Sequence, residues 1–214
     1  MTELNVNQTK GMAFSADIPS ETRELFIAYD DWKCRSVTIV TFNGDCPTTI
    51  YTVDLHMRKP NVVIRSASPV PTTIANISFH SFMAKVDIEC YPESLDTHGI
   101  TLQPKSAWSI KREYTYCSPS LNNAVMTWQS LGSVMKPYDF VLLDNSAMPL
   151  AQFIAAGSRF ILDPKKIGKI ELMPSIADKK DIVDEIVVTI FAIAQFFITQ
   201  SRGANIAAVA AATS

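Results

Sequence analysis

The segment DIVDEIVVTIFAIAQFFITQ, residues 181–200, constrains the fold more than any other part of the chain. A helix on a protein surface shows one apolar stripe and one polar face. After its first turn this segment has no polar face, so it has to lie inside something. Because the residues before it are typical of short strands, we predict a β-structure closed around one buried helix.

A strand is the competing interpretation of this segment, since residues 182–190 are mostly β-branched. The continuous apolar length through residues 191–197 favours a helix over a second, very long strand. Asp181 is the predicted N-cap, followed by Asp184 and Glu185. Acidic side chains there accept hydrogen bonds from free backbone N–H groups and suit the helix dipole.

A membrane span is a further alternative for the same segment. Residues 186–198 give only about 20 Å of helix, whereas a hydrocarbon core needs about 30 Å. Extending the helix through the tail GANIAAVAAATS would place Arg202 and Asn205 in the bilayer. A central arginine costs about 2.5–3.5 kcal/mol. The alternative to a tail anchor is that the Ala-rich tail is a helix extension or a frayed end.

The chain before the helix shows repeated strand patterns separated by turn residues. Val86, Ile88 and Cys90 alternate with charged residues, which predicts a strand with one buried and one wet face. Asn43-Gly44-Asp45, between two β-branched runs, predicts a hairpin. There is no alternation of strands and helices, which argues against a doubly wound fold. The predicted strands, roughly a dozen, include residues 37–42, 48–54, 61–66, 77–79, 84–90, 100–102, 108–110, 124–131, 140–144, 149–156, 159–162 and 167–173, with turns at Asp144-Asn145-Ser146 and Asp163-Pro164.

The chain of 214 residues is predicted to form one domain. Residues 1–21 are polar without sustained periodicity and are predicted to be a flexible arm. Residues 22–200 form the single domain, with the central helix at about 181–200, and residues 201–214 form the Ala-rich tail. No composition break or low-complexity linker divides the domain.

Charge and cysteine usage limit the classes of function. A net charge of −2 and a pI of about 5.9 give no indication of nucleic-acid binding. The four cysteines, Cys34, Cys46, Cys90 and Cys117, are scattered without metal-binding spacing. We expect unpaired thiols, with Cys90 buried in its strand, and we see no pattern of a secretory signal. Both observations favour an intracellular, cytoplasmic protein.

The sequence carries no recognisable catalytic or cofactor motif. It contains no G-x-S-x-G elbow, no G-x-G-x-x-G and no P-loop. His56, His80 and His98 have no second ligand at metal spacing, so we expect ordinary solvated or hydrogen-bonded histidines. Asp30-Asp31 and the pair Asp178 and Asp181 are interpreted as turn and cap residues. The prediction is a protein that is not an enzyme, with no catalytic residue, metal or cofactor.

Basic residues gather around the last predicted strand and the start of the helix. A basic edge there could meet phosphoinositide or phosphatidylserine headgroups, at about 1 kcal/mol per residue. The alternative is ordinary solubilising charge on strand edges, where lysine also blocks aggregation. The residues concerned are Lys165, Lys166, Lys169, Lys179 and Lys180, with Lys111 and Arg112 in another predicted strand.

The order of these parts is similar to the tubby C-terminal-like superfamily, which includes tubby, the phospholipid scramblases and the plant LURP-one-related proteins. Small fungal proteins of unknown function are the nearest relatives in this resemblance, which covers about residues 25–197. The segments that carry it are Ile50-Tyr51-Thr52-Val53, Met126-Thr127-Trp128-Gln129, residues 140–144, Leu150-Ala151-Gln152-Phe153, Ile167-Gly168-Lys169-Ile170-Glu171-Leu172 and Asp184-Glu185-Ile186-Val187-Val188-Thr189.

The resemblance implies a mainly β fold, a closed antiparallel barrel of about twelve strands with the hydrophobic helix along its axis. It also implies a non-enzymatic intracellular binding module for anionic phospholipid or phosphoinositide headgroups, peripheral at membranes. Tubby binds phosphoinositides through basic side chains, but those residues are not aligned here, so no lipid-binding residue is assigned. The alternative is a protein–protein interaction domain without lipid binding.

Overall fold

The structure is a computed structural model that describes most of the chain from residue 22 onward. Several predictions therefore lie outside the described residues: the arm 1–21, the strand at 108–110, Lys111, the turn at Asp163-Pro164, and Lys165. The described ranges are 22–31, 33–80, 85–91, 97–105, 112–131, 138–158, 161–162 and 166–212.

Fourteen strands and one long helix make up the described part of the chain. Twelve strands form the main sheet, whereas the short strands β12 and β13 pair only with each other. The elements in chain order are β1 (Arg23–Tyr29), β2 (Ser36–Asn43), β3 (Cys46–Leu55), β4 (Val62–Ser66), β5 (Thr73–Phe79), β6 (Val86–Cys90), β7 (His98–Pro104), β8 (Glu113–Ser118), a 3-10 turn (Pro119–Leu121), β9 (Ala124–Ser130), β10 (Phe140–Leu143), β11 (Pro149–Ala155), β12 (Gly157–Ser158), β13 (Ile161–Leu162), β14 (Lys166–Leu172) and α1 (Lys180–Ala212).

The sheet is a closed antiparallel barrel in the order β1-β14-β11-β10-β9-β8-β7-β6-β5-β4-β3-β2. Strands β1 to β11 are joined as successive hairpins. The last strand, β14, inserts between β11 and β1, and this pairing closes the cylinder. Closure gives each of the twelve strands of the main sheet two neighbours, so the barrel has no free edge in the part of the chain that the structure describes. The predicted fold class is confirmed.

Alternation of side chains sets which face of each strand points inward. In β6 the exposed fractions of Val86, Ile88 and Cys90 are 0, 1 and 7 %, as the sequence pattern predicts. The hairpin between β2 and β3 turns at Gly44, whose φ of +61° is one that glycine adopts without steric cost. At the β10–β11 turn, Asp144 Oδ1 accepts hydrogen bonds from the backbone N–H groups of Ser146 and Met148, both at 2.8 Å.

The helix α1 fills the barrel. It begins one residue before the predicted N-cap, so Asp181 lies in its first turn, and it runs to Ala212 rather than ending near residue 200. Except for Asp184, every residue from Ile182 to Phe197 is buried. The segment Lys180–Gln200 is long and apolar enough to cross a membrane, but 83 % of its most apolar window is buried inside the protein. Here the barrel wall takes the place that lipid would occupy.

Polar side chains on α1 pair with the barrel wall at separate levels. The Tyr51 hydroxyl of β3 donates to Asp184 Oδ1 at 2.5 Å. In the buried middle, Trp128 Nε1 of β9 donates to Thr189 Oγ1 at 3.0 Å. Because a buried polar group without a partner costs about 1–3 kcal/mol, a helix that rotated or slid would lose these pairs. They therefore help to fix the rotation and depth of the helix in the barrel.

Gly168 lets β14 approach its neighbour closely. A Cβ built at this position would lie 2.5 Å from the carbonyl oxygen of Ile154 and 2.7 Å from the ring of Phe153. The carbonyl oxygen of Ile154 belongs to the backbone, so it cannot move aside as the end of a flexible side chain could. The site therefore requires a residue without a side chain, in a strand that the closure of the barrel depends on.

Replacing Ile190 with aspartate is expected to abolish folding. Ile190 is completely buried, and an unpaired buried charge costs several kcal/mol. This cost is a large part of the about 5–15 kcal/mol by which a domain is stable. Ile190→Val, the matched control, is expected to cost about 0.5–1.5 kcal/mol and to keep a cooperative thermal transition in circular dichroism. A soluble, cooperatively melting Ile190→Asp variant would contradict the buried placement.

Candidate functional site

The two ends of the barrel differ in the loops that they carry. We call the end where α1 begins the helix-start end and the end where it leaves the helix-exit end. Because neighbouring strands are antiparallel, successive hairpin loops fall at alternate ends. The loops after β1, β3, β5, β7 and β9 lie at the helix-exit end, and those after β2, β4, β6, β8 and β10 lie at the helix-start end.

The three histidines do not converge. His56 is exposed in the loop after β3, and His80 Nε2 lies 2.6 Å from Asp87 Oδ2. His98 lies opposite Cys90 in the β6–β7 pair. In the part of the chain that the structure describes, no cluster of His, Cys, Asp or Glu could hold a metal ion. The four cysteines are free thiols, as predicted, and burial raises the pKa of the Cys90 thiol to about 12.

Two acidic side chains of α1 are held by hydrogen bonds at the helix-start end. Glu185, only 5 % exposed, accepts a hydrogen bond from the backbone N–H of Ser120 at 3.2 Å. Burial raises the pKa of Asp184 above its ordinary value, although Tyr51 and Lys180 both contact the carboxylate. Burial, with the charge of Asp184, also raises the pKa of Tyr51 far above its usual range, so its hydroxyl stays a donor.

A small cavity beside these acids is lined by Cys90, His98, Ser120 and Glu185 among others. Its volume of about 20 Å³ is little more than the space that one water molecule needs. The helix thus leaves no room for a substrate next to this group of titratable side chains. The arrangement serves to bind the helix to the wall.

The basic edge predicted near the start of the helix is not assembled as one surface. Lys169 Nζ lies 2.7 Å from Glu24 and 2.6 Å from Glu171, and hydrogen bonds to these two carboxylates raise its pKa. Lys180 Nζ lies 3.1 Å from Asp184. Lys166 begins β14 and Lys179 follows its far end, so the two lie at opposite ends of a strand about 20 Å long.

Arg112 is also not a free surface cation. Its guanidinium carbon lies 4.2 Å from the centroid of the Phe197 ring and 5.9 Å from that of Tyr138. Both distances are within the range of a cation–π contact. Arg112 therefore covers the last aromatic turn of the buried helix at the helix-exit end.

The loop after β3 combines an exposed apolar side chain with two unpaired cations. Met57 is fully exposed, and Arg58 and Lys59 are exposed beside it. Neither cation forms an ion pair or side-chain hydrogen bond within the described residues. A fully exposed methionine side chain is not stabilised by water and gains no packing contacts inside the protein. The loop therefore presents an exposed apolar tip flanked by positive charge.

The loop is held in a defined shape at its base. The backbone N–H of His56 donates to the carbonyl oxygen of Asn61 at 2.8 Å, which closes the loop. Asn61 is bound to β5 twice: its N–H donates to Ile77 O at 2.8 Å, and its Oδ1 accepts from the N–H of Phe79 at 2.9 Å. These hydrogen bonds fix the base of the loop against β5.

Further cations lie beside this loop along the helix-exit end. The carbonyl oxygen of Arg35, in the loop after β1, accepts a hydrogen bond from the N–H of Leu55 at the end of β3. Lys166 begins β14, which pairs with β1. We call Arg35, Arg58, Lys59 and Lys166, together with Met57, the basic rim. The sequence analysis did not single out Met57, Arg58 or Lys59, although Met-Arg-Lys-Pro between two strands was a visible signal.

A groove lies on the outer wall near the helix-start end. It measures about 550 Å³ and is formed by β1, β2, the start of β3 and Asp178. Phe26, Phe42 and Ile50 supply its apolar part, and Thr22 and Arg23 lie at its side. We call it the β1–β3 groove. It is separate from the interior that α1 fills.

Comparison of the chain with protein-family models, with curated proteins and with solved structures finds no match in any of the three. The architecture itself, a closed twelve-stranded barrel around a buried C-terminal helix, is consistent with the fold of tubby-like proteins.

Replacing Asp184 with asparagine is expected to raise the melting temperature at neutral pH. Because the pKa of Asp184 is higher in the folded protein than in the unfolded chain, its charged form costs stability. This cost is present at neutral pH and disappears as the pH falls below the unfolded value of about 3.9. Asparagine keeps an acceptor for Tyr51 but carries no charge.

The measurement is the melting temperature of both proteins from neutral pH down to about pH 3, where their difference is expected to vanish. Lys180→Gln is the control, because it removes the ion pair with Asp184 and leaves the buried carboxylate. A variant that is less stable than the parent at neutral pH would show that the carboxylate stabilises the fold.

Proposed function

We propose that this protein is a non-enzymatic, cytoplasmic binding module that attaches peripherally to anionic phospholipid headgroups through the basic rim. Membership in the tubby C-terminal-like superfamily belongs to the same proposal. The observation that carries it is the loop after β3, where fully exposed Met57 stands beside Arg58 and Lys59, both without an acidic partner among the described residues.

The two kinds of side chain act on different parts of a membrane. Each Lys or Arg near an anionic surface contributes about 1 kcal/mol. Burying a methionine side chain in an apolar environment contributes up to about 1.5–3 kcal/mol. Several such modest contributions are sufficient for peripheral, reversible attachment, as with the combination of one lipid chain and a polybasic patch.

The local pairing of charges supports this orientation. Charges of both signs lie at each end of the barrel, and Asp30, Asp31 and Asp54 are at the helix-exit end. Arg58 and Lys59 nevertheless have no acidic partner among the described residues. Because charges act on a surface within about 8 Å at physiological salt, these two cations support attraction to an anionic surface although the net charge of the chain is −2.

Arg58→Gln with Lys59→Gln is expected to weaken binding to anionic vesicles about thirtyfold, since two cations at about 1 kcal/mol each are removed. Sedimentation with phosphatidylcholine vesicles, with and without phosphatidylserine or a phosphoinositide, measures the effect. Lys179→Gln with Lys180→Gln is the matched control: it changes the charge equally at the other end and is expected to leave binding nearly unchanged.

The Met57→Ser variant distinguishes attachment to a membrane surface from binding of an isolated headgroup. It is expected to weaken attachment to vesicles at high salt, where charge is screened, and to leave any binding of a soluble inositol phosphate unchanged. Equal sedimentation of the parent protein on neutral and anionic vesicles at moderate salt would refute the lipid proposal. So would equal losses in the two double variants.

A protein partner without lipid binding is the second candidate. The same loop favours it, because Met and Arg are enriched at protein interfaces. On this proposal the Met57→Ser variant loses a stable partner that the parent protein recovers from cell extract, while neither protein binds anionic vesicles. The vesicle assay thus separates the two candidates.

A further inference from the structure

The β1–β3 groove is a site that the proposed lipid attachment leaves unused. Its volume of about 550 Å³ falls within the about 300–1,000 Å³ typical of ligand sites. It lies on the outer wall near the helix-start end, whereas the basic rim lies at the helix-exit end. The lipid proposal therefore assigns no occupant to it.

An exposed aromatic pair forms the apolar part of the groove. The rings of Phe26 and Phe42 meet edge to face, with centroids 5.1 Å apart and an interplanar angle of 88°. Phe42 is 48 % exposed although it belongs to a regular strand. Ile50 lies beside them. These three side chains form an apolar strip, and the rest of the lining is polar or charged. The strip is stabilised when another apolar side chain covers it.

The occupant cannot bind by adding a strand. Strands β1, β2 and β3 each pair with a neighbour on both sides, so their backbone hydrogen-bonding groups are already used. Recognition has to come from side chains laid across the outer wall, which favours an extended segment with one apolar face.

We infer that the occupant is the chain's own N-terminal segment, residues 12–18. Thr22, the first described residue, itself lines the groove, so the chain before it is joined to the barrel at the groove. The arm is polar as a whole, but one short run in it alternates: Met12, Phe14, Ala16 and Ile18 stand between Ala13, Ser15 and Asp17, which gives this run one apolar face when it is extended.

The residues between the segment and Thr22 act as a tether that is long enough to reach the groove. Because the segment is tethered, a weak contact is sufficient to hold it there. Phe14 is eight residues before Thr22, which allows a reach of up to about 27 Å in the extended chain. A short tether also provides an effective concentration in the millimolar range. An intrinsic affinity too weak for two separate molecules thus holds the segment in place, and the segment covers the groove in the free protein.

Hydrogen exchange of the full-length protein, read by mass spectrometry, tests the inference. Backbone amides of residues 12–18 are expected to exchange about tenfold more slowly than in a synthetic peptide of residues 1–21. Phe42→Ser and Phe14→Ser are each expected to remove this protection. Phe42 is half exposed, so its replacement leaves the core intact, which the melting temperature verifies.

Val125→Ser is the matched control in the barrel, because Val125 is an exposed apolar residue of β9, away from the groove, with an exposed fraction of 52 %. Leu4→Ser is the control in the segment. Exchange at the peptide's rate in the parent protein would overturn the inference and leave the groove to a partner. Protection that grows with protein concentration would overturn it in favour of a second copy. Protection that survives Phe42→Ser would place the segment elsewhere.

Discussion

A helix that avoids water on all sides is the constraint on which the rest of this structure depends. Burying α1 requires a wall around its whole circumference, and a closed barrel supplies one without leaving a free strand edge. The dependence is mutual, since the inward side chains of twelve strands need the helix to fill the space between them. The few polar side chains on α1, such as Thr189, then specify its rotation and depth.

A filled lumen moves any binding to the outside and to the ends. The antiparallel order sends alternate loops to opposite ends, so residues that are far apart in the sequence meet at one end. Met57, Arg58 and Lys59 gain their proposed meaning from this arrangement, because the neighbouring elements contribute Arg35 and Lys166. At the helix-start end, Glu185 holds the helix.

The sequence analysis succeeded where one face of a strand is apolar and the other is polar. The alternation of Val86, Ile88 and Cys90 predicted β6, and Asn43-Gly44 predicted the β2–β3 hairpin. It did not single out β1, because outward-facing Phe26 and Ala28 hide the alternation of its buried residues. Nor did it single out β8, where Tyr114 and Tyr116 face inward and Thr115 faces outward. Both residue types are common in strands and both carry a hydroxyl, so the sequence does not show a clear apolar face. In both strands tertiary packing, rather than periodicity, selects the inner face.

The sequence by itself determined that the C-terminal segment follows a series of strands and has no polar face, so that it has to be shielded from water. It also determined that the thiols are unpaired. Only the tertiary structure decided which charges meet: Lys169 is neutralised by Glu24, which is 145 residues away. It likewise gathered the basic rim and left Arg112 over Phe197, since neighbours in a barrel are set by strand order and not by distance along the chain.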